Sequence, residues 1–466
     1  MLTRSLMKKM DTDCMKQKIV ISLHSPRYRS LFYETGAFTG LESKYKVIYL
    51  QEDNSNAPNP IRGAIEIMNP VRRKKNLTTF LDWYSYVSML RYRDRSKSFA
   101  LKFENNLESK SWKHGLLIKV LAMPLIFEIF NYFFKEIFFP TNKTLKIIRD
   151  LKPDFLVVVS NGTSDGISMD LLAAANKLNI KSMFLMYNWD NITCKGVYPF
   201  MSTYAGVWGE QSAAHFFKIH RLPMSNIFIL GSPQFMVYER FEHDASRKDV
   251  DILERPRGQL IGAYLGGARY RDDIFLLKTL DPILQQHNIH LIYRPHPFQD
   301  RDMVLAGNFF DEKFTNITMD LAIIDHYKRC RHEPGYDIKS ILFKYENFAS
   351  FLFSLDFVIS SYSTMSIESM IMGKPVLLTA YSDPTFKYSF DKIKQYEHHD
   401  CWPKFTDVVE CNDVNHLEMD IQKLLTLVRE PVVSDRLKKE VKVVSYSDMH
   451  EYSTRLLWCV NKLLSV

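Results

Sequence analysis

The sequence predicts an α/β protein built from two Rossmann-like parallel-sheet lobes, and three observations predict it. The chain has 466 residues, too many for one ordinary core and natural for two domains of roughly 200 residues each. Short apolar, β-branched runs alternate with helical segments, the pattern of strands that return through helices to a parallel sheet. A polar stretch with no strand in it, residues 239–258 (ERFEHDASRKDVDILERPRG), separates two such alternating sets and reads as the linker.

In the first set, Lys18 to Leu23 (KIVISL) is a strand ending in His24-Ser25-Pro26, and Tyr45 to Leu50 (YKVIYL) is a second. Residues from about 60 to 140 read mainly as helix and loop. Phe155 to Val159 (FLVVV) is apolar throughout, as a strand buried on both faces must be, and ends in Ser160-Asn161-Gly162-Thr163. An Ala- and Leu-rich helix follows from Gly166 to Leu178. Lys181 to Met186 returns as a strand ending in Tyr187-Asn188-Trp189-Asp190-Asn191. Tyr204 to Val207, a helix over Gln211 to His220, and Ile227 to Leu230 complete the set.

The second set begins with Leu260 to Leu265, a strand ending in Gly266-Gly267. A helix over Asp272 to His287 leads to Ile289–Tyr293 (IHLIY), which ends in Arg294-Pro295-His296-Pro297. After an irregular stretch, a helix over Asn347 to Leu355 precedes Asp356 to Ile359 (DFVI) and the loop Ser360-Ser361-Tyr362-Ser363-Thr364. The next helix stops at Gly373, a C-cap glycine, before the strand Pro375 to Thr379. The boundaries expected are 15–240 for the first lobe, with a helical insertion at 60–145, 255–430 for the second, and 431–466 for a C-terminal helical segment.

Hydrophobic residues make up 46% and charged residues 24%, as in soluble globular proteins. Repeats and low-complexity stretches are absent. The net charge of +8 suits acidic or phosphorylated partners, with nucleic acid, anionic lipid and nucleotide sugars all compatible by charge alone. Basic residues concentrate in one region: Arg72, Arg73, Lys74, Lys75, Arg91, Arg93, Arg95, Lys97, Lys102, Lys110 and Lys113. This is either a solvated helical face or a surface facing anionic lipid or glycan.

Leu116 to Phe139 is rich in Leu, Ile and Phe but broken by Lys119, Pro124, Glu128, Lys135 and Glu136. It falls short of the ~20 apolar residues of a spanning helix and suits a buried helix or one lying on a membrane. Six cysteines form no CxxC pair, and the first eighteen residues lack the apolar core of a signal peptide. The expected compartment is the cytoplasm, with peripheral contact at the inner face of the membrane.

Ligands of such sheets bind outside the carboxyl ends of the strands, where every unusual cluster lies. Gly266 and Gly267 let backbone approach a phosphate. Arg294 and His296 offer a guanidinium and an imidazole in a proline-stiffened turn. Ser360, Ser361, Ser363 and Thr364 place hydroxyls and amides at a helix N-terminus, an anion site; one of them is needed as the N-cap. Glu368 either accepts from a ribose diol or complements the helix dipole. Asp300, Asp302 and Asp311 make no metal-binding pair, Cys330 and His332 lack partners, and no metal is expected.

Strand-RPHP followed by strand-SSYSTMSIESMIMGKPV resembles the donor lobe of GT-B glycosyltransferases. The His-Pro pair and the serine pair are similar to those of bacterial sialyltransferases and Kdo transferases, and to CDP-glycerol glycerophosphotransferases. YNWDNITCKG, then GVWGEQSAAHFFKIHRLPMSNIFILGSPQF, resembles bacterial surface-polysaccharide glycosyltransferases. The resemblance covers roughly residues 150–240 and 258–382. It implies a GT-B fold with two lobes facing a central cleft, and transfer of a sugar from a nucleotide-activated donor to a surface glycan or lipid-linked acceptor. The donor is a CMP-, CDP- or UDP-linked substrate, and no separate cofactor and no nucleic acid is expected. His296, Ser360 and Ser361 then hold donor phosphate and ribose.

A base for an inverting mechanism would come from the first lobe: Asp190 first, with Asp165 and His24 as rivals, and Lys195 contacting a phosphate or acceptor carboxylate. Asp190 and Asn191 forming only an Asx turn is the competing structural reading. Polyol-phosphate transfer and a UDP-sugar epimerase or hydrolase are the alternative activities.

Overall fold

The computed structural model describes residues 16–53, 60–70, 77–107, 112–243, 258–267, 272–296, 307–333, 345–383, 389–446 and 450–465. Two compact units emerge: Met1–Gln234 with Tyr446–Val466, and Phe235–Ser445. Helices of eight or more residues are numbered below.

The first unit holds β1 (Lys18–Ser22), β2 (Lys46–Glu52), β3 (Ile65–Ile67), β4 (Phe155–Ser160), β5 (Ser182–Met186), β6 (Tyr204–Val207) and β7 (Ile227–Ile229). They form one parallel sheet in the order β3-β2-β1-β4-β5-β6-β7. Every residue of β4 and β5 is buried, which is why their sequences are apolar on both alternating faces. Between β3 and β4 run α1 (Leu77–Arg91), α2 (Lys97–Leu107), α3 (Trp112–Leu121), α4 (Pro124–Phe138) and α5 (Asn142–Leu151); α6 (Gly166–Lys177) and α7 (Glu210–His220) follow later.

The second unit holds β8 (Leu260–Leu265), β9 (Ile289–Arg294), β10 (Ile317–Met319), β11 (Phe357–Ser360), β12 (Val376–Thr379) and β13 (Val408–Cys411), parallel in the order β10-β9-β8-β11-β12-β13. Its helices are α8 (Pro233–His243), which starts at the unit boundary, α9 (Asp273–Gln286), α10 (Leu321–His332), α11 (Tyr345–Ser354), α12 (Thr364–Ile371), α13 (Leu417–Arg429) and α14 (Val432–Glu440). The last helix, α15 (Tyr452–Leu464), belongs to the first unit. There Asn461 accepts from Lys44 Nζ at 2.9 Å and from the Tyr45 hydroxyl, and Arg455 Nε donates to the Leu230 carbonyl at 2.9 Å.

Both sheets start in their middle. β1 lies between β2 and β4, and β8 lies between β9 and β11. The strand order therefore reverses at β1/β4 and at β8/β11, and the loops leaving these pairs diverge around a crevice.

Three features differ from the sequence expectation. β3, β10 and β13 are edge or near-edge strands of three or four residues, too short to leave a periodic signal. The polar linker begins later than 239, because α8 runs to His243; Tyr238 and Phe241 meet Phe348 and Phe353 at ring distances of 6.4 and 5.5 Å and hold it as helix. Residues 244–257 lie outside the described part. Leu116 to Phe139 is two helices, α3 and α4, bent by 92°. One face packs into a cluster with Val87, Phe103, Ile118, Ala122 and Phe127, and the other is exposed. Among the described residues no single helix is long and apolar enough to cross a membrane.

Candidate functional site

In the second unit the reversal point is lined by small residues. Gly266, just past β8, donates its N–H to the Arg294 carbonyl at 2.9 Å. A Cβ on Gly266 would stand 3.2 Å from Pro295 Cα and from His296 N, and 2.5 Å from Asp273 Oδ2. Only glycine allows the β8 and β9 loops to approach this closely. Beneath them the fully buried Asp273 accepts from Tyr264 at 2.5 Å and from Tyr293 at 2.9 Å, fixing the start of α9. His296 is half-buried at the end of this loop, and Pro297 lies outside the described residues.

Across the reversal point, Ser360 Oγ donates to the Leu265 carbonyl at 3.2 Å, tying β11 to β8. Ser363 is the N-cap of α12 and accepts from Ser366 N at 3.3 Å; Ser360 and Ser363 hydroxyls lie 3.2 Å apart. Ser366 Oγ donates to the Ser361 carbonyl at 2.8 Å, and Thr379 Oγ1 to the Ser360 carbonyl at 3.1 Å. Ser360 and Ser361 are thus buried scaffolding, while Ser363 and Thr364 reach the surface at the positive end of the helix dipole. Gly267 is buried beside Gly266.

Two predicted donor ligands, Arg294 and Glu368, are buried. The Arg294 guanidinium is buried, donates to Asp320 Oδ2 at 2.7 Å and lies over the Phe348 and Phe351 rings at 4.9 and 5.4 Å. These contacts lie inside the second unit. Glu368 is 5% exposed. Burial raises its carboxyl to about 8, against the opposing pull of the Tyr238 hydroxyl and Arg294. It is buried near Tyr238 and Arg294.

In the first unit the reversal point is bridged by polar side chains. His24, after β1, meets Asp165, after β4, with Nε2 2.9 Å from Oδ1. Its Nδ1 is 2.9 Å from Ser22 Oγ. Asp165 caps α6 and also accepts from Tyr28 Oη at 2.8 Å and from Ser168 N and Oγ at 3.2 and 2.9 Å. Burial pushes the Asp165 carboxyl up, but His24, Tyr28 and Ser168 outweigh it and leave it below the ordinary range. Burial and Asp165 together push the Tyr28 hydroxyl well up.

The turn after β5 is built by asparagines. Asn188 N donates to Asn191 Oδ1 at 2.6 Å, Trp189 N to Asn188 Oδ1 at 2.8 Å, and Asn191 Nδ2 to Asn161 Oδ1 at 2.8 Å. Asp190 makes no capping bond there. Its carboxylate meets Lys195 Nζ at 3.3 Å. Burial raises it, and Lys195 and Lys102 outweigh that and hold it low. The helical insertion positions this turn: Ser85 Oγ donates to the Lys195 carbonyl at 2.9 Å, and Ser88 Oγ accepts from Val197 N at 3.2 Å. Thr163, after β4, also donates to the Lys195 carbonyl.

Of the three predicted bases, the Asp190 side chain is 27% exposed against 11% for Asp165 and 6% for His24, whose ring nitrogens are both bonded. Tyr28, Asp273, Tyr238 and Asp320 were not singled out in the sequence; each matters through a partner distant along the chain. Among the described residues no group of three or more His, Cys, Asp or Glu is placed to hold a metal ion.

No protein-family model and no curated protein matches the chain. Solved structures do match. The UDP-N-acetylglucosamine 2-epimerase from Rickettsia bellii shares 12% identity at a TM-score of 0.51, covering 97% of each chain. The S. aureus MnaA structure with UDP shares 10% identity at a TM-score of 0.52, covering 96% of this chain and 97% of that one. At such identity the likeness is one of fold: two parallel-sheet α/β lobes of GT-B type, of seven and six strands, with a C-terminal helix.

Proposed function

We propose that this protein is an enzyme that binds a nucleotide-activated sugar in its second unit and transfers the sugar to a surface glycan or lipid-linked glycan. The observation that carries the proposal is the β8/β11 reversal point. There Gly266 brings Pro295 and His296 against the β8 loop, and Ser360 ties that loop to the N-terminus of α12. A diphosphate fits this setting: backbone close approach, an imidazole, surface hydroxyls of Ser363 and Thr364, and the dipole of α12. Ser360, Ser361 and Gly267 shape the loop. Arg294 and Glu368 support it from inside.

Asp190, beside Lys195, is the group assigned to the acceptor hydroxyl as base. The carboxylate stays ionised at neutral pH because Lys195 and Lys102 hold it low. Lys195 also suits a phosphate or carboxylate of the acceptor. His24 and Asp165 are assigned to holding the β1 and β4 loops together.

The test uses thermal shift with CMP, CDP, UDP and GDP, then mass analysis of products formed from the matching nucleotide sugar and a glycan acceptor. His296→Ala is expected to abolish nucleotide-dependent transfer with unchanged melting. Undiminished turnover by that variant refutes the donor site. A second reading is epimerisation or hydrolysis of a UDP-sugar, favoured by UDP in the S. aureus neighbour. Turnover of donor without acceptor selects it, and a product heavier by a polyol phosphate selects polyol-phosphate transfer.

A further inference from the structure

We infer that α3 and α4 form a membrane-docking wedge that lies in the interface of an anionic lipid surface. A helix buried against a protein on one face ordinarily presents a polar second face. α4 does not. Phe127 and Phe134 are buried, Phe134 stacking on Tyr84 at 4.4 Å. On the opposite side Leu125, Ile129, Tyr132 and Phe133 recur at three- and four-residue spacing, and all four are exposed, Leu125 at 82%. α3 continues the apolar surface with Leu116 and with Trp112, which is 74% exposed. Large apolar side chains concentrated this way mark an interaction surface, whereas scattered ones do not.

Charge and geometry identify the occupant. Residues 61–138 contain fourteen Lys and Arg against seven Asp and Glu, so this stretch carries seven of the chain's eight net positive charges. Lys113 and Lys119 are exposed on α3 itself. Basic residues beside an exposed apolar ridge, with Trp and Tyr on the ridge, match the polar headgroup and outer acyl layers of an anionic bilayer. The 15 residues of α4 reach about 22 Å, short of the ~30 Å hydrocarbon core. The 92° bend from α3 rules out one straight span. The pair therefore lies along the surface and enters one leaflet by its ridge.

The experiment is flotation of the full chain with phosphatidylcholine vesicles, with and without phosphatidylglycerol, at low and physiological salt. Binding to the phosphatidylglycerol vesicles is expected, weakening with salt. The double variant Leu125→Asp, Ile129→Asp is expected to lose at least about tenfold in partitioning, since two exposed aliphatic side chains that would enter the lipid become charged. Both positions are solvent-exposed, so its melting temperature should match wild type. Absence of wild-type binding, or equal binding by the variant, overturns the proposal. So does self-association of the wild type that the variant abolishes without vesicle binding by either, because the ridge is then an interface between copies. The outcome is independent of the donor site.

Discussion

Glu368→Gln tests a buried, perturbed carboxyl in the second unit. Glu368 is buried, and its carboxyl is raised to about 8 from the ordinary 4.5, chiefly by desolvation. A raised acid is protonated in the folded state and ionised in the unfolded chain. Its favourable contribution is thus complete below about pH 4.5 and lost as pH rises toward 8. Each pH unit between those limits costs about 1.4 kcal/mol, so wild type should lose about 3.5 kcal/mol between pH 5 and pH 8 from this group, an upper figure. Glutamine keeps the shape and a neutral hydrogen-bonding group and removes the titration. The stability difference between variant and wild type should therefore move in the variant's favour by about 2 to 4 kcal/mol over that range, roughly 5 to 15 °C in the second unit's melting temperature. Calorimetry of both proteins at matched pH values measures it. A difference constant from pH 5 to 8 would show that Glu368 is not buried as a neutral acid, and the reasoning would fail.

Two further substitutions probe the reversal points. Asp165→Asn keeps a capping oxygen for α6 but turns an amide toward donors from Tyr28 and Ser168. Two buried hydrogen bonds are lost, a destabilisation of about 2 to 5 kcal/mol by thermal melting. Because the native carboxyl is depressed, its contribution exists above about pH 4 and disappears as pH falls through the native value, so the gap to wild type should narrow below about pH 4. Gly266→Ala puts a Cβ 2.5 Å from Asp273 Oδ2, which two tyrosines prevent from retreating. Nucleotide affinity by calorimetric titration should fall at least about tenfold with only modest loss of stability, because the His296 loop is displaced; unchanged affinity would separate that loop from the donor.

Legibility followed burial. FLVVV announces β4 because a central parallel strand is apolar on both faces, and the serine-rich turn after β11 is visible because its composition is rare. The edge strands β3 and β10 carry only three residues each and leave no such trace. α8 was hidden by its charges, since Glu239 and Arg240 mask the apolar pair Tyr238 and Phe241. The site followed the same rule. Strand ends flagged Gly266, His296 and Ser360, but side-chain roles depend on tertiary partners. Arg294 reads in the sequence as a phosphate ligand, and its partner Asp320, 26 residues on, is not visible there. His24 and Asp165 read in the sequence as separate candidate bases, and the fold joins them across 141 residues.

That pairing explains why two sheets of the same plan lend themselves to different work. Each reverses its strand order beside its first strand, and each must hold two diverging loops together there. In the first unit the holding group is large and polar: His24 and Asp165, with Tyr28 and Ser168 completing the carboxylate's bonds. Such a junction is rigid, and its lone pairs are committed within the fold. In the second unit the Ser360 hydroxyl ties β11 to the Leu265 carbonyl, and the neighbours are Gly266, Gly267 and Ser361. The bulky anchors sit one layer below, in Asp273 with its two tyrosines and in Arg294 with Asp320. Small residues at the loop with rigid support beneath are what a phosphate-bearing ligand requires, because the backbone must come close without moving. This contrast supports the proposed placement of the donor in the second unit, and in the first it singles out Asp190, more exposed than Asp165 and one strand over from it, for the proposed acceptor role.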